Sequence, residues 1–136
     1  MRSAELTLPG FVYDVCSAIH LMAAESPFFK TLPLQAHGLE YLYPPVAAAH
    51  PFDDGTAAAL VKSLKETAGS LGPDARAYQQ LVAPVVEDRP DLAPAILGPL
   101  RLPRNPVTLA RFGAKALLPA QLLANSLLTT PKAHGL

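Results

Sequence analysis

The chain has 136 residues, no net charge and a half-apolar composition, which suffices for one ordinary domain with a core. The zero net charge and the scattered Lys and Arg residues give no electrostatic argument for nucleic-acid binding. A single cysteine excludes an internal disulfide framework and a multi-cysteine metal site, and no apolar run reaches the ~20 residues that span a bilayer.

Two short strands are predicted at the start of the chain. Residues 5–8 (ELTL) alternate between polar and apolar side chains, as a half-buried strand does. The turn signal Pro9-Gly10 ends this strand, and residues 11–14 (FVYD) form a second one.

The next segment predicts one short helix and one further strand. Ser26 followed by Pro27 favours the N-cap and first position of a helix that contains the two phenylalanines behind them. His37 and Gly38 are typical of a helix end. The aromatic-rich sequence LEYLYP at 39–44 is typical of a strand.

The clearest local pattern is that of a β-hairpin. Asp54-Gly55 stands between two apolar, strand-like runs in AAHPFDDGTAAALVK, and such a pair is the strongest short-range hairpin signal. Because this kind of turn needs a positive φ, which glycine adopts freely, we expect Gly55 in the left-handed region.

From residue 63 onward the pattern becomes helical. Ser63 and Glu66 have the spacing of a capping box, which predicts the start of a helix. We expect Gly72 to close this helix and Pro73-Asp74 to open the next one. The inward face of that next helix is predicted to consist of Tyr78, Leu81, Val82 and Val85.

Prolines are predicted to keep the remaining helices short, because each removes a backbone donor. They are Pro84, Pro90, Pro94, Pro99, Pro103, Pro106 and Pro119. The sequence NPVTLARFGAKALLPAQLLANSLL predicts two helices separated near Pro119. The fold class is therefore α+β, with short strands and a β-hairpin in the first half and proline-broken helices in the second.

Two residue pairs could carry chemistry, and each has a structural alternative. Cys16 and His20, one helical turn apart, could form a thiolate–imidazole pair or a small buried thiol near a satisfied histidine. Asp53 and Asp54 could be paired carboxylates for acid–base catalysis or only the tip of the hairpin. No phosphate-binding glycine loop, nucleophile elbow or metal-ligand spacing is present, so no metal is expected.

An apolar stripe of Leu and Ala runs through residues 107–128. It could line a lipid pocket or meet a membrane, and it could equally be ordinary core or a subunit face. The densest part of the stripe is a cluster of leucines with almost no charge between them. This leucine cluster consists of Leu117, Leu118, Leu122, Leu123, Leu127 and Leu128.

Segments along nearly the whole chain occur in the order of a known family. RSAELTLPGFVYDVCSAIH, with its Arg2-Ser3 pair, Pro9-Gly10-Phe11 and Asp14, resembles a segment of the phytoene-dehydrogenase-like NAD(P)/FAD-dependent oxidoreductases, in the amine-oxidase-type flavoprotein group. HGLEYLYPPVAAAHPFDDGTAAAL is similar to the first substrate-domain hairpin of that family. GPDARAYQQL is similar to the helix after it, and ILGPLRLPRNPVTLARFGAKAL resembles the helical cap over the substrate tunnel.

The resemblance implies that residues 1–20 are a remnant of an FAD-binding region and that 21–136 form part of a substrate or cap domain. It assigns Arg2 and Ser3 to cofactor binding and identifies no catalytic residue. The glycine-rich Rossmann dinucleotide fold that precedes this segment in the family is not in the sequence. We therefore expect an internal piece of the family's chain, with FAD bound by the complete protein and not by this chain alone.

The implied function is that of a piece of a phytoene desaturase- or dehydrogenase-like oxidoreductase, inactive alone, whose substrate is apolar and polyene- or lipid-like. Its implied partners are the missing dinucleotide-binding portion, that hydrophobic substrate, and a second copy bound through apolar surface. Because the family packs these helices against portions that this sequence lacks, we expect the leucine cluster to be exposed to solvent and to promote self-association. The alternative is a stand-alone helical interaction or lipid-binding module without catalysis. The expected location is the cytoplasm or the periphery of a membrane.

Overall fold

The computed structural model describes residues 2–15 and 19–136. Its strands are β1 (Arg2–Glu5), β2 (Val12–Val15), β3 (Val46–Pro51) and β4 (Ala57–Val61). Its helices are α1 (Leu21–Glu25), α2 (Leu64–Gly69), α3 (Ala75–Glu87), α4 (Arg89–Leu97), α5 (Pro106–Ala116), α6 (Ala120–Leu127) and α7 (Pro131–His134). Short 3-10 turns cover Phe29–Thr31, Leu34–His37 and Gly72–Asp74. The predicted α+β class, with its strands before its main helices, is confirmed.

β1 and β2 form an antiparallel hairpin whose bounds differ from the prediction. Arg2 lies opposite Val15, and Glu5 lies opposite Val12, so the predicted strand 5–8 is three residues too late. The residues between the strands form the turn, with Gly10 at φ +85°. The polar–apolar alternation of residues 5–8 lies mostly in this turn, where the chain has no partner strand. A prediction from the alternation therefore places the strand too far along the chain.

The segment between the two hairpins is less regular than predicted. Ser26 Oγ accepts a hydrogen bond from the Phe29 backbone N–H at 3.4 Å, as a cap would, but only a 3-10 turn follows. Gly38 ends the next 3-10 turn at φ +88°. The strand predicted at 39–44 is wrong, since this segment has no regular structure. A strand-like sequence forms no strand without a neighbour to bond its backbone.

The β3–β4 hairpin confirms the prediction around Asp54-Gly55. The Gly55 N–H donates to the Phe52 carbonyl at 3.0 Å, and the Phe52 N–H donates to the Thr56 carbonyl at 2.9 Å. The loop therefore has three residues and closes with Gly55 at φ +79°. Asp54 Oδ1 accepts both the N–H and the hydroxyl of Thr56, at 2.9 and 2.7 Å, which holds the loop in this conformation.

Helix α2 begins as predicted and packs on this hairpin. Ser63 Oγ accepts the Glu66 N–H at 3.2 Å. The helix ends at Gly69, so Gly72 does not close it and instead starts the following 3-10 turn at φ +61°. The buried Thr67 hydroxyl accepts the Val61 N–H at 3.1 Å and lies 3.2 Å from the Val61 carbonyl. This pair of bonds connects α2 to β4.

The core is small and lies where α2, α3 and α7 meet. Its buried members are Ala68, Leu71, Tyr78, Leu128 and Ala133. Since α7 comes last in the chain and α2 lies in the middle, this core depends on contacts between distant segments.

A buried carboxylate, the Asp74 clasp, fastens this core. Asp74 precedes α3, and it accepts the backbone N–H groups of Thr129 and Thr130 at 3.0 and 2.8 Å. It also accepts both threonine hydroxyls, at 2.8 and 2.6 Å. The hydroxyl of Thr130 contributes most to lowering the pKa of Asp74, which is about 2. The clasp therefore ties the start of α7 to the start of α3.

Prolines affect the helices less uniformly than predicted. Pro84 lies inside the 13-residue helix α3, and Pro94 lies inside the 9-residue helix α4, so neither ends its helix. Each removes one hydrogen-bond donor, and the residues four positions earlier are exposed, where water can bond their carbonyls. Pro119 separates α5 from α6, as predicted.

Candidate functional site

An apolar groove of about 270 Å³ lies between α3, α4, α5 and α6. Its volume is close to the lower end of the range for small-ligand pockets, ~300–1,000 Å³. Its apolar wall consists of Leu81, Val82, Pro84, Val85, Leu92, Phe112, Ala116 and Leu123, and its charged side chains are Asp88, Arg111 and Lys115.

Helix α3 supplies one wall because its apolar residues recur at helical spacing. Leu81, Val82 and Val85, three of the four residues predicted to point inward, line the groove. Tyr78, the fourth, is buried in the core. One apolar face therefore serves two purposes. Tyr78 lies in the core, Val82 packs against the core and lines the groove, and Leu81 and Val85 line the groove.

Helix α5 supplies the facing wall and is positioned by its cap. Asn105 Oδ1 accepts the Thr108 N–H at 3.2 Å, and Pro106 occupies the first helical position. Phe112 and Ala116, four residues apart on one face, then line the groove.

The charges of the groove do not balance. Arg111 on α5 forms an ion pair with Asp88, which follows α3. Lys115 lies one helical turn after Arg111 on the same side of α5. Among the described residues it forms no ion pair, so the groove has one excess positive charge.

The leucine cluster is exposed in part, as expected. Leu117, Leu118, Leu122 and Leu127 are 87%, 44%, 57% and 41% exposed, while Leu123 lines the groove. The expectation is wrong for Leu128, which is buried in the core. Leu128 follows the end of α6, and the extended chain turns it toward α2 and α3.

A second cleft, of about 260 Å³, contains a three-charge cluster between α1 and α4. Glu25 accepts hydrogen bonds from Lys30 and Arg89, each at 2.8 Å. The bond from Lys30, with the nearby charge of Arg89, lowers the pKa of Glu25. The bond from Arg89 connects the first helix to the helical half of the chain.

The residues assigned to cofactor binding lie in the first hairpin. Arg2 begins β1, and Ser3 pairs with Asp14 across the two strands. The Ser3 hydroxyl donates to Asp14 Oδ1 at 2.7 Å. The two strands of the hairpin thus bring Ser3 and Asp14 together, while the assignment of Arg2 and Ser3 to cofactor binding stays a prediction.

This hairpin does not fit the pyrophosphate of FAD. Dinucleotide-binding folds hold the pyrophosphate on N–H groups at a helix N-terminus that follows a glycine-rich turn. Here the turn after β1 leads into β2, not into a helix. The Ser3 hydroxyl already donates to Asp14, and a carboxylate at that point repels phosphate. We therefore derive no flavin chemistry from these residues.

The candidate carboxylate pair lies at the tip of the β3–β4 hairpin. Asp53 and Asp54 are exposed at the hairpin tip, where the Thr56 hydroxyl and N–H lower the pKa of Asp54. This geometry matches the hairpin-tip interpretation. Cys16 lies outside the described residues, so its pairing with His20 stays a prediction. The described residues contain no group of three or more potential metal ligands.

Sequence reasoning missed the charged residues of the groove and the Asp74 clasp. Arg111 and Lys115 are four residues apart, so they lie on the same side of a helix, and Phe112 follows Arg111 directly. This spacing could have identified a charged edge beside an apolar residue on α5. The clasp joins residues 55 and 56 positions apart. No local pattern reports a contact over such a separation.

Comparisons with protein-family models, with curated proteins and with solved structures find no match to this chain. The described helices include none whose length and hydropathy would let it cross a membrane.

Proposed function

We propose that this chain is a helical module that binds an apolar small molecule in the apolar groove. The observation that carries the proposal is the lining of the groove, where eight apolar side chains from four helical segments surround about 270 Å³. Water in such a space finds few hydrogen-bond partners, so an apolar ligand replaces it favourably.

Two adjacent valines of α3 give a matched test. Val85 lines the groove and Val86 does not, yet both are partly exposed, at 41% and 55%. We expect Val85→Glu to weaken binding of the neutral dye Nile red by at least about tenfold, since a carboxylate in an apolar site costs more than ~1.4 kcal/mol. Val86→Glu should bind the dye as the parent does.

Fluorescence titration of the parent and both variants measures this difference. Equal binding by the two variants, or no saturable binding by the parent, would contradict the proposal. Circular dichroism of each variant checks that the helices remain formed.

A second candidate is the substrate-binding part of an FAD-dependent oxidoreductase similar to the phytoene-dehydrogenase-like group. The order in which the family-like segments follow one another along nearly the whole chain supports it. In this case FAD would supply the redox chemistry when bound by the complete protein, and the groove would hold part of an apolar substrate.

Flavin content tests this second candidate. Purified under native conditions from the cells that make it, the tagged chain should carry the yellow absorbance of a flavin through its partner. A colourless preparation that contains a stoichiometric partner chain would count against it. In titration calorimetry the chain alone should bind FAD with a Kd no tighter than about 1 mM, and micromolar binding would show that the cofactor site is already present.

A further inference from the structure

We infer that the ligand of the apolar groove is an anionic amphiphile, a medium-length alkyl carboxylate whose head group pairs with Lys115. This inference rests on the proposed function. It adds the chemical class of the ligand, which the apolar lining alone does not define.

The charged side chains of the groove leave one positive charge unbalanced. Asp88, Arg111 and Lys115 are the charged side chains that line the groove. Asp88 is already paired with Arg111, and Lys115 forms no ion pair with a described residue. A ligand with one negative charge would balance the groove, whereas a cationic ligand would add to its excess.

Lys115 lies beside the apolar wall of the groove. Phe112 and Ala116 stand on either side of it along α5, and Val82 and Val85 face them from α3. An alkyl chain can lie along this wall while its carboxylate remains at the exposed ammonium group. The groove extends along α3 from Leu81 to Asp88, the residue that follows the helix, about 10 Å at 1.5 Å per residue, which suits a medium-length chain.

Lys115 also has a simpler role, since a cation in the last turn of a helix interacts favourably with the helix dipole. That role stabilises α5 but makes no distinction between ligand head groups. A comparison of head groups of opposite charge therefore separates ligand pairing from helix stabilisation.

The test measures displacement of Nile red by decanoate and by decyltrimethylammonium, which share a chain length and differ in the sign of the head group. The parent should prefer decanoate. Lys115→Gln should weaken decanoate binding by about threefold, as expected for a partly exposed ion pair, and Lys115→Glu should reverse the preference. Higher salt should reduce the preference of the parent.

Lys65→Glu is the control for net charge, because Lys65 is exposed on α2 and does not line the groove. It should keep the preference of the parent. Equal displacement by the two amphiphiles, or the same change in Lys65→Glu as in Lys115→Glu, would overturn this inference and leave the proposed function standing. Failure of the parent to bind Nile red or either amphiphile would overturn both.

Discussion

At the scale of single residues, Asp74 connects parts of the chain that no local pattern joins. It is only 3% exposed, and a buried carboxylate is costly unless it is hydrogen-bonded. Thr129 and Thr130 supply two backbone N–H groups and two hydroxyls. Because these donors favour the ionised form, they lower the pKa of Asp74 to about 2.

We expect the protein to lose stability as the pH falls from about 4 to about 2. The folded-state pKa of Asp74, about 2, lies below the ~3.9 of an unfolded aspartate. The ionised carboxylate therefore stabilises the folded state above this window, and that stabilisation disappears as the pH falls through it. Asp74→Asn should lower the urea midpoint of unfolding near neutral pH. It should also make this midpoint change less as the pH falls from about 4 to about 2.

Asp53→Asn is the control for this experiment, because Asp53 is exposed at the hairpin tip. The urea midpoint of the Asp53→Asn variant, and the change of this midpoint with pH, should be the same as in the parent. An Asp74→Asn variant that unfolds at the parent's midpoint would show that the clasp does not stabilise the fold.

Gly55 is the residue that the hairpin loop most directly requires. Its φ is +79°, a region that β-branched residues resist. We expect Gly55→Val to lower the free energy of unfolding by about 1 kcal/mol or more. Gly55→Asn should cost less, since asparagine tolerates the left-handed region. Urea denaturation measures both, and equal midpoints for parent and Gly55→Val would contradict the argument.

At the scale of elements, the two hairpins differ in their support. β4 packs on α2 through Thr67 and contributes the buried Ala58. The described side chains of the β1–β2 hairpin include no buried one, and Leu8, Phe11 and Val12 are 63%, 59% and 67% exposed. A two-stranded hairpin alone is marginally stable in water. The first hairpin therefore exposes its apolar side chains to solvent.

The cap of α5 controls one wall of the apolar groove. Asn105→Ala removes the acceptor of the Thr108 N–H, so it should lower the free energy of unfolding by about 1 kcal/mol. Asn125→Ala is the matched control, since Asn125 is exposed inside α6 and alanine is the better helix former there. Thermal unfolding compares the two, and equal losses would contradict the role of the cap.

At the scale of the whole molecule, the exposed area is large. A folded monomer of 14.4 kDa exposes about 6,800 Å², while this chain exposes 10488 Å². The excess is several times the ~800 Å² per partner that a standard protein–protein interface buries. Surface of this extent, with many exposed leucines, is suited to association.

We therefore expect the chain to self-associate through the exposed part of the leucine cluster. Burial of apolar area yields ~25 cal/mol per Å², and the zero net charge provides no long-range repulsion. Sedimentation velocity at ~50 μM should show a species larger than a monomer, at a concentration where a micromolar dimer is populated.

A double variant, Leu117→Glu with Leu122→Glu, should shift this equilibrium toward monomer. Leu100→Glu is the control, because Leu100 is fully exposed but lies in the loop between α4 and α5. A parent chain that sediments as a clean monomer and binds no hydrophobic dye would contradict both the association and the groove.

Patterns within about five residues were sufficient to predict the elements that depend on local chemistry. The Asp54-Gly55 loop, the Ser63 cap and the separation of α5 from α6 near Pro119 are confirmed. Their hydrogen bonds join near neighbours, so residue type and spacing report them directly. The strand predicted at 39–44 failed because a strand also needs a partner, which its own sequence does not contain.

In the candidate site, too, some features follow from the local sequence and others only from tertiary packing. The sequence alone determined that α3 and the segment 107–128 carry apolar faces, because helical spacing is a local property. The tertiary structure decided which turns enter the core and which line the groove, as with Tyr78 and Val85. It also decided that Asp88 meets Arg111 and that Asp74 meets Thr129 and Thr130. These contacts join residues 23 to 56 positions apart, and only the packing of whole helices determines which of the chain's charges become neighbours.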